Sequence, residues 1–195
     1  MRVMSRVLVA LCVGLVFTAA LDAADRFGFY APPGAAYANV SFEREEQLAV
    51  SVTVEHEGAA IPSWFLAVGT GNAGAFDPRQ MNSGSFDLSY QIYKSAPPSS
   101  EILKASPAVL SLSNVITSTD FSAVAATAEL VTYTFYVHVP SAQFLPSGEY
   151  TDAVSLLLYT GDYADPVTHT LVETVDLTIT GRSEEHTSEL QSPSA

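Results

Sequence analysis

The sequence predicts an all-β protein: a single antiparallel β-sandwich domain. Three observations carry that reading. Hydrophobicity repeats every second residue in several runs, Gly, Pro, Asn, Asp and Ser cluster between the runs, and no apolar pattern of helical period is long enough to cover a parallel sheet.

Taken in chain order, Arg2 and Arg6 precede the apolar run Val7 to Phe17, and small residues follow it. That is the layout of a secretory signal, and residues 1–23 are read as one, cleaved after Ala20 or Ala23. The run falls short of the roughly 20 apolar residues a membrane span needs. No later segment is long and apolar enough to span, so no transmembrane segment is expected in the mature chain. Cys12 is the only cysteine and lies inside the run behind Leu11. The exported chain is therefore expected to carry neither disulfide nor lipid anchor, and to depend on its apolar core. About 160 residues suffice for one such core.

Residues 24–36, with Gly28, Pro32, Pro33 and Gly34, read as an irregular or extended N-terminal arm. The domain is placed at 37–181. Ala36, Ala38, Val40 and Phe42 alternate weakly on one face. Leu48, Val50, Val52 and Val54 then alternate with Ala49, Ser51, Thr53 and Glu55, the pattern of a half-buried strand. Trp64 to Val68 is continuously apolar, which predicts deeper burial. Phe86, Leu88, Tyr90 and Ile92 form the next alternating face, and Tyr133, Phe135, Val137 and Val139 another, closed by Pro140. Pro146, Ser147 and Gly148 make a turn in front of Val154 to Tyr159, a second continuous run. Leu171, Val175, Leu177 and Ile179 form a last face, interrupted by Glu173.

Arg182 to Ser192 matches the in-frame translation of a common sequencing-library adapter. Residues 182–195 are accordingly left out of the functional reading.

Charge and chemistry exclude more than they suggest. Net charge is −13, with acids scattered singly apart from Glu43 to Glu46, so neither a nucleic acid nor an anionic membrane is an expected partner. Charged residues are only 15% against 48% hydrophobic, which excludes a disordered chain. Gly69-Thr-Gly-Asn-Ala-Gly74 fits G-x-G-x-x-G, yet no helical pattern follows to aim backbone N–H groups at a phosphate. It is read as a plain glycine loop. His56, His138 and His169 stand apart from other ligand-type residues, and Asp162 and Asp165 suit a turn better than a calcium loop. No catalytic, cofactor or metal residue is assigned, and no enzyme is expected. The tyrosines, among them Tyr37, Tyr93, Tyr136 and Tyr159, suit a pleated sheet surface better than a sugar platform.

Two motifs are specific. Leu88-Ser-Tyr90-Gln-Ile92-Tyr93 and Pro146-Ser-Gly148-Glu-Tyr150-Thr-Asp152 stand in order, behind a glycine-rich loop followed by Arg79 and Met81. Over roughly Val40 to Tyr159 the chain resembles the spore coat protein U domain family, which includes pilins of the archaic chaperone–usher pathway. The resemblance implies an immunoglobulin-like sandwich lacking one strand, so that a groove with an unpaired edge takes up a donor strand. It implies an exported structural subunit of a pilus or surface coat, passing through the periplasm to the cell surface. Its expected partners are a periplasmic chaperone, an outer-membrane usher and neighbouring subunits. Leu88, Tyr90, Tyr93, Pro146, Gly148, Tyr150 and Asp152 carry over as structural motif positions. Ala36, Ala38, Val40 and Phe42 are the candidate donor strand. Two alternatives remain open: Leu171 to Thr180 closes the sandwich in cis, or the protein is a self-contained secreted sandwich that binds a ligand such as carbohydrate.

Overall fold

The computed structural model describes residues 25–31, 33–40, 44–61, 63–105, 110–122 and 124–183. Nine strands and one 3-10 turn account for their regular structure: β1 (Arg26–Ala31), β2 (Ala36–Val40), β3 (Glu46–Gly58), β4 (Trp64–Val68), β5 (Arg79–Ser83), β6 (Phe86–Tyr93), β7 (Ala125–Val139), β8 (Gly148–Thr160) and β9 (Thr170–Ser183), with the turn at Leu112–Asn114. Among the described residues no helix is long and apolar enough to cross a membrane.

One layer is β1-β3-β7-β6. The other places β4 and β5 along one edge of β8, β9 along its other edge, and β2 outside β9. All pairs are antiparallel except β2 with β9. β6 joins the layers, because its residues Phe86 to Tyr90 pair with β5 while Gln91 to Tyr93 pair with β7. The fold is thus a single all-β domain, a curled and mostly antiparallel sheet, as the alternation predicted.

At the N-terminus the chain changes layers. β1 pairs with the C-terminal half of β3, and after the break at residues 33–35, where Pro33 and Gly34 interrupt strand geometry, β2 joins β9 in the opposite layer. The segment expected to be an arm is therefore a sheet strand from Arg26 to Ala31.

Period-two patterning sets the core. Val50, Val52 and Val54 of β3 and Phe135, Val137 and Val139 of β7 are buried in one core cluster, with Val50 directly opposite Phe135, and Val154, Leu156 and Leu158 of β8 join it from the other layer. Each such side chain contributes about 1.5–3 kcal/mol on burial. β4 is buried at every position because both faces are covered. Trp64, Leu66 and Val68 face the main core, whereas Phe65 and Ala67 pack with Ala105 and Val115 in a second cluster beneath the segment that follows β6. That segment is tied down by the reciprocal backbone bonds Leu66 N to Ile116 O at 2.8 Å and Ile116 N to Leu66 O at 3.0 Å. β8 was expected to be uniformly apolar; it buries alternate residues only, and Leu157 and Tyr159 pack against the second cluster.

Candidate functional site

Two places bring together the residues singled out by sequence. The first is a buried polar network between β5, β6, β8 and the glycine loop. Asp152 is 1% exposed. Its Oδ2 accepts the Tyr90 hydroxyl at 2.6 Å, and its Oδ1 accepts the backbone N–H of Asn72 at 2.7 Å and of Ala153 at 2.8 Å. A buried carboxylate is tolerable only with such donors. The loop can wrap it because Gly71 has φ +75 and no side chain: a Cβ there would lie 2.1 Å from Asp152 Oδ2. Gly69 to Gly74 is thus a turn with no helix behind it, folded around an anion of the protein's own.

Arg79 is the cationic hub of the network and is fully buried. Its Nε and Nη2 donate to Gly69 O at 3.0 and 2.9 Å, Nη2 also to Leu103 O at 2.7 Å, and Nη1 to Gln91 Oε1 at 2.5 Å. Gln91 Nε2 in turn donates to Phe76 O at 2.8 Å. The five donors of a planar guanidinium suit three converging loop segments as a lysine would not. Burial pushes the Arg79 guanidinium down to about 10, against the opposing pull of Tyr90, Asp152 and Asp77. Burial, aided by the bond to Asp152, holds the Tyr90 hydroxyl well above the ordinary tyrosine range.

The remaining motif residues fit around this frame. Tyr150 is buried and donates to Pro146 O at 2.9 Å, so the Pro146–Gly148 turn and the start of β8 are locked together. Leu88 is fully buried beside Tyr90, and half-buried Tyr93 lies 6.0 Å from the His138 ring. The role of Arg79 was not legible beyond its place in the motif, since its partners lie up to 24 residues away in sequence.

The other singled-out groups have structural surroundings. His56 is buried, with Nε2 on Ala59 O at 2.8 Å and its ring 5.6 Å from Phe121. His169 packs on Phe65 and Tyr159. Asp162 accepts the Ala164 N–H and Asp165 the Val167 N–H, each capping its own turn. Among the described residues no group of three or more His, Cys, Asp or Glu is placed to hold a metal ion.

The second place is the slot beside β8. β9 fills it in antiparallel register from Gly148 opposite Ser183 to Thr160 opposite Thr170. Leu177 and Ile179 are fully buried, and Val175 packs against the same core. Glu173, which broke the alternation, reaches the other layer: its Oε2 accepts the Phe29 N–H at 2.8 Å, in space left by Gly28. Ala36 and Ala38, read as donor-strand residues, are buried in the chain's own core on β2. Val40 ends β2, and Phe42 lies outside the described residues.

A sequence profile described as the Spore Coat Protein U domain matches residues 27–156. The chain belongs to that family. No curated protein matches it by sequence. Among solved structures, the spore coat U chain is similar to the CooA pilin subunit of enterotoxigenic Escherichia coli, at 14% identity over 77% of this chain and 89% of that one, with a TM-score of 0.45. It is similar to the CssB subunit of colonization factor CS6 from enterotoxigenic Escherichia coli, complemented with a donor strand from CssA, at 13% identity over 78% and 95% and a TM-score of 0.43. Self-complemented MyfA, the major subunit of Myf fimbriae from Yersinia enterocolitica, matches at 14% identity over 78% and 97%, with a TM-score of 0.38. The family match ends at Leu156, inside β8, so the whole of β9 lies beyond it.

Proposed function

We propose that this spore coat U protein is an exported structural subunit of a pilus or surface coat, put together by strand complementation. One observation carries the reading: the residues matched by the family profile leave the β8 edge unfilled, and the strand lying there comes from outside them. Three apolar side chains, Val175, Leu177 and Ile179, enter the core from that strand. At about 1.5–3 kcal/mol each, the two fully buried side chains contribute about 3–6 kcal/mol, a large share of the 5–15 kcal/mol stability of a whole domain, and Val175 adds a partial contribution. A sandwich of this family without its last strand is marginal, and delivery to the surface calls for a periplasmic chaperone and an outer-membrane usher. The leader-like N-terminus and the disulfide-free core fit that route. Tyr90 and Tyr150 are committed to buried hydrogen bonds, which weakens a sugar platform as the rival function.

The test is co-expression with a periplasmic chaperone and an outer-membrane usher of the archaic pathway, followed by immunogold labelling of intact cells. Label on surface fibres or a coat is the expected result. A chain that stays soluble in the periplasm whatever accompanies it overturns the proposal.

A further inference from the structure

We infer that β9 is a tethered occupant of the strand slot, closing this chain to a donor strand from any second subunit; the inference rests on the strand-complementation reading above. The β8 edge is occupied by β9 from Tyr150 opposite Gly181 to Thr160 opposite Thr170, and its opposite edge is paired with β4 from Leu156 to Thr160 and with β5 at Thr151. β2 in turn pairs with β9, from Ala36 opposite Ile179 to Ala38 opposite Gly181. An incoming strand has to displace β9 and unpair β2 together.

The connector between β8 and β9 is built to hold the strand. Gly161 N donates to Ser63 O at 2.9 Å, and Asp162 and Asp165 cap two successive turns. Gly161 has φ +105, and a Cβ there would meet Thr168 O at 2.6 Å, so the connector folds tightly on itself. His169, at the entry to β9, packs 5.4 Å from Phe65 and 4.9 Å from Tyr159. A loose spacer has no use for these contacts. At the far side Glu173 fastens β9 to β1 through the Phe29 N–H. A strand tethered by a short linker acts at roughly millimolar effective concentration. Against it, a micromolar donor strand occupies on the order of one slot in a thousand.

The experiment offers a fluorescent peptide of residues 170–181 to the full mature chain, to the same chain cut at a protease site inserted between Asp165 and Pro166, and to a chain ending at Thr160. The uncut chain is expected to stay monomeric by light scattering and to take up less than about 1% of the peptide in a day. The cut chain is expected to exchange, and the chain ending at Thr160 to refold from urea only with peptide. Uptake by the uncut chain, or a ladder of strand-swapped multimers, overturns the inference; refusal by the cut chain overturns the tether as its cause. A chain ending at Thr160 that folds cooperatively alone sinks the strand-complementation reading itself, a result distinct from either.

Discussion

The Tyr90 hydroxyl donates to Asp152 Oδ2 at 2.6 Å, and both side chains are buried. The pair joins β6 to β8 in the core, where water cannot replace either partner. Tyr90→Phe removes one donor from a buried anion and is expected to cost about 1.5–3 kcal/mol. Asp152→Ala strands three donors and is expected to cost about 3 kcal/mol or more. Urea unfolding measures both. A Tyr90→Phe change within about 0.5 kcal/mol of wild type shows that Asp152 is satisfied without the hydroxyl.

Gly71 and Gly74 share a loop and a left-handed backbone but differ in surroundings. Gly71 has the Asp152 carboxylate where a Cβ would stand, whereas nothing lies within 4 Å of that position at Gly74. Gly74→Ala meets only the backbone penalty of roughly 1–2 kcal/mol. Gly71→Ala adds a steric clash with the network and is expected to cost at least about 1 kcal/mol more than Gly74→Ala. Equal midpoints in urea for the two variants contradict the wrapped-carboxylate account.

Alkaline stability follows from the same network. The Tyr90 hydroxyl is held above its unfolded range, so its contribution is full below pH 10 and is lost as pH rises beyond it. Tyr93, Tyr133 and Tyr159 are raised too, first by burial, and act in the same direction. Arg79, lowered to about 10 by burial, acts oppositely: above that pH the unfolded chain binds more protons than the folded one, so this group alone makes stability rise with pH. One arginine faces several tyrosines, so stability is expected to fall above pH 10. Tyrosinate absorbance at 295 nm should rise together with loss of near-ultraviolet circular dichroism. In Tyr90→Phe the dependence of stability on pH in that window should be shallower by up to about 1.4 kcal/mol per pH unit. An unchanged slope removes Tyr90 from the explanation.

How much was legible in the sequence depended on whether a strand has one wet face. β3 and β7 alternate because one face of each meets the core and the other meets solvent, and their inward residues were readable one by one. β4 was readable as deeply buried, but not that its second face is covered by Phe65's partners Ala105 and Val115, which belong to irregular chain. β1 escaped notice because Gly28 breaks the apolar pattern, and that glycine is there to admit the Glu173 carboxylate from β9. Glu173 looked like an interruption for the same reason. The motif residues were visible as a motif, yet the joining of Asp152, Tyr90, Arg79 and Gly71 depends on long-range pairing of β5, β6 and β8, which no local pattern encodes.

The last strand offers the sharpest comparison within one element. Leu177 is fully buried, whereas Leu171 is 48% exposed near the start of β9. If β9 closes the sandwich in solution, Leu177→Ala removes core volume and is expected to cost about 2–5 kcal/mol, while Leu171→Ala stays within about 0.5 kcal/mol. The same contrast should appear in amide exchange, where Leu177→Ala speeds exchange along β8 as well as β9, because β8 loses the neighbour that protects its edge. Chemical denaturation of the two variants, followed by exchange mass spectrometry, measures both effects. Two variants of equal stability mean that β9 is detached from β8 in solution, and that the slot is open to a strand from elsewhere.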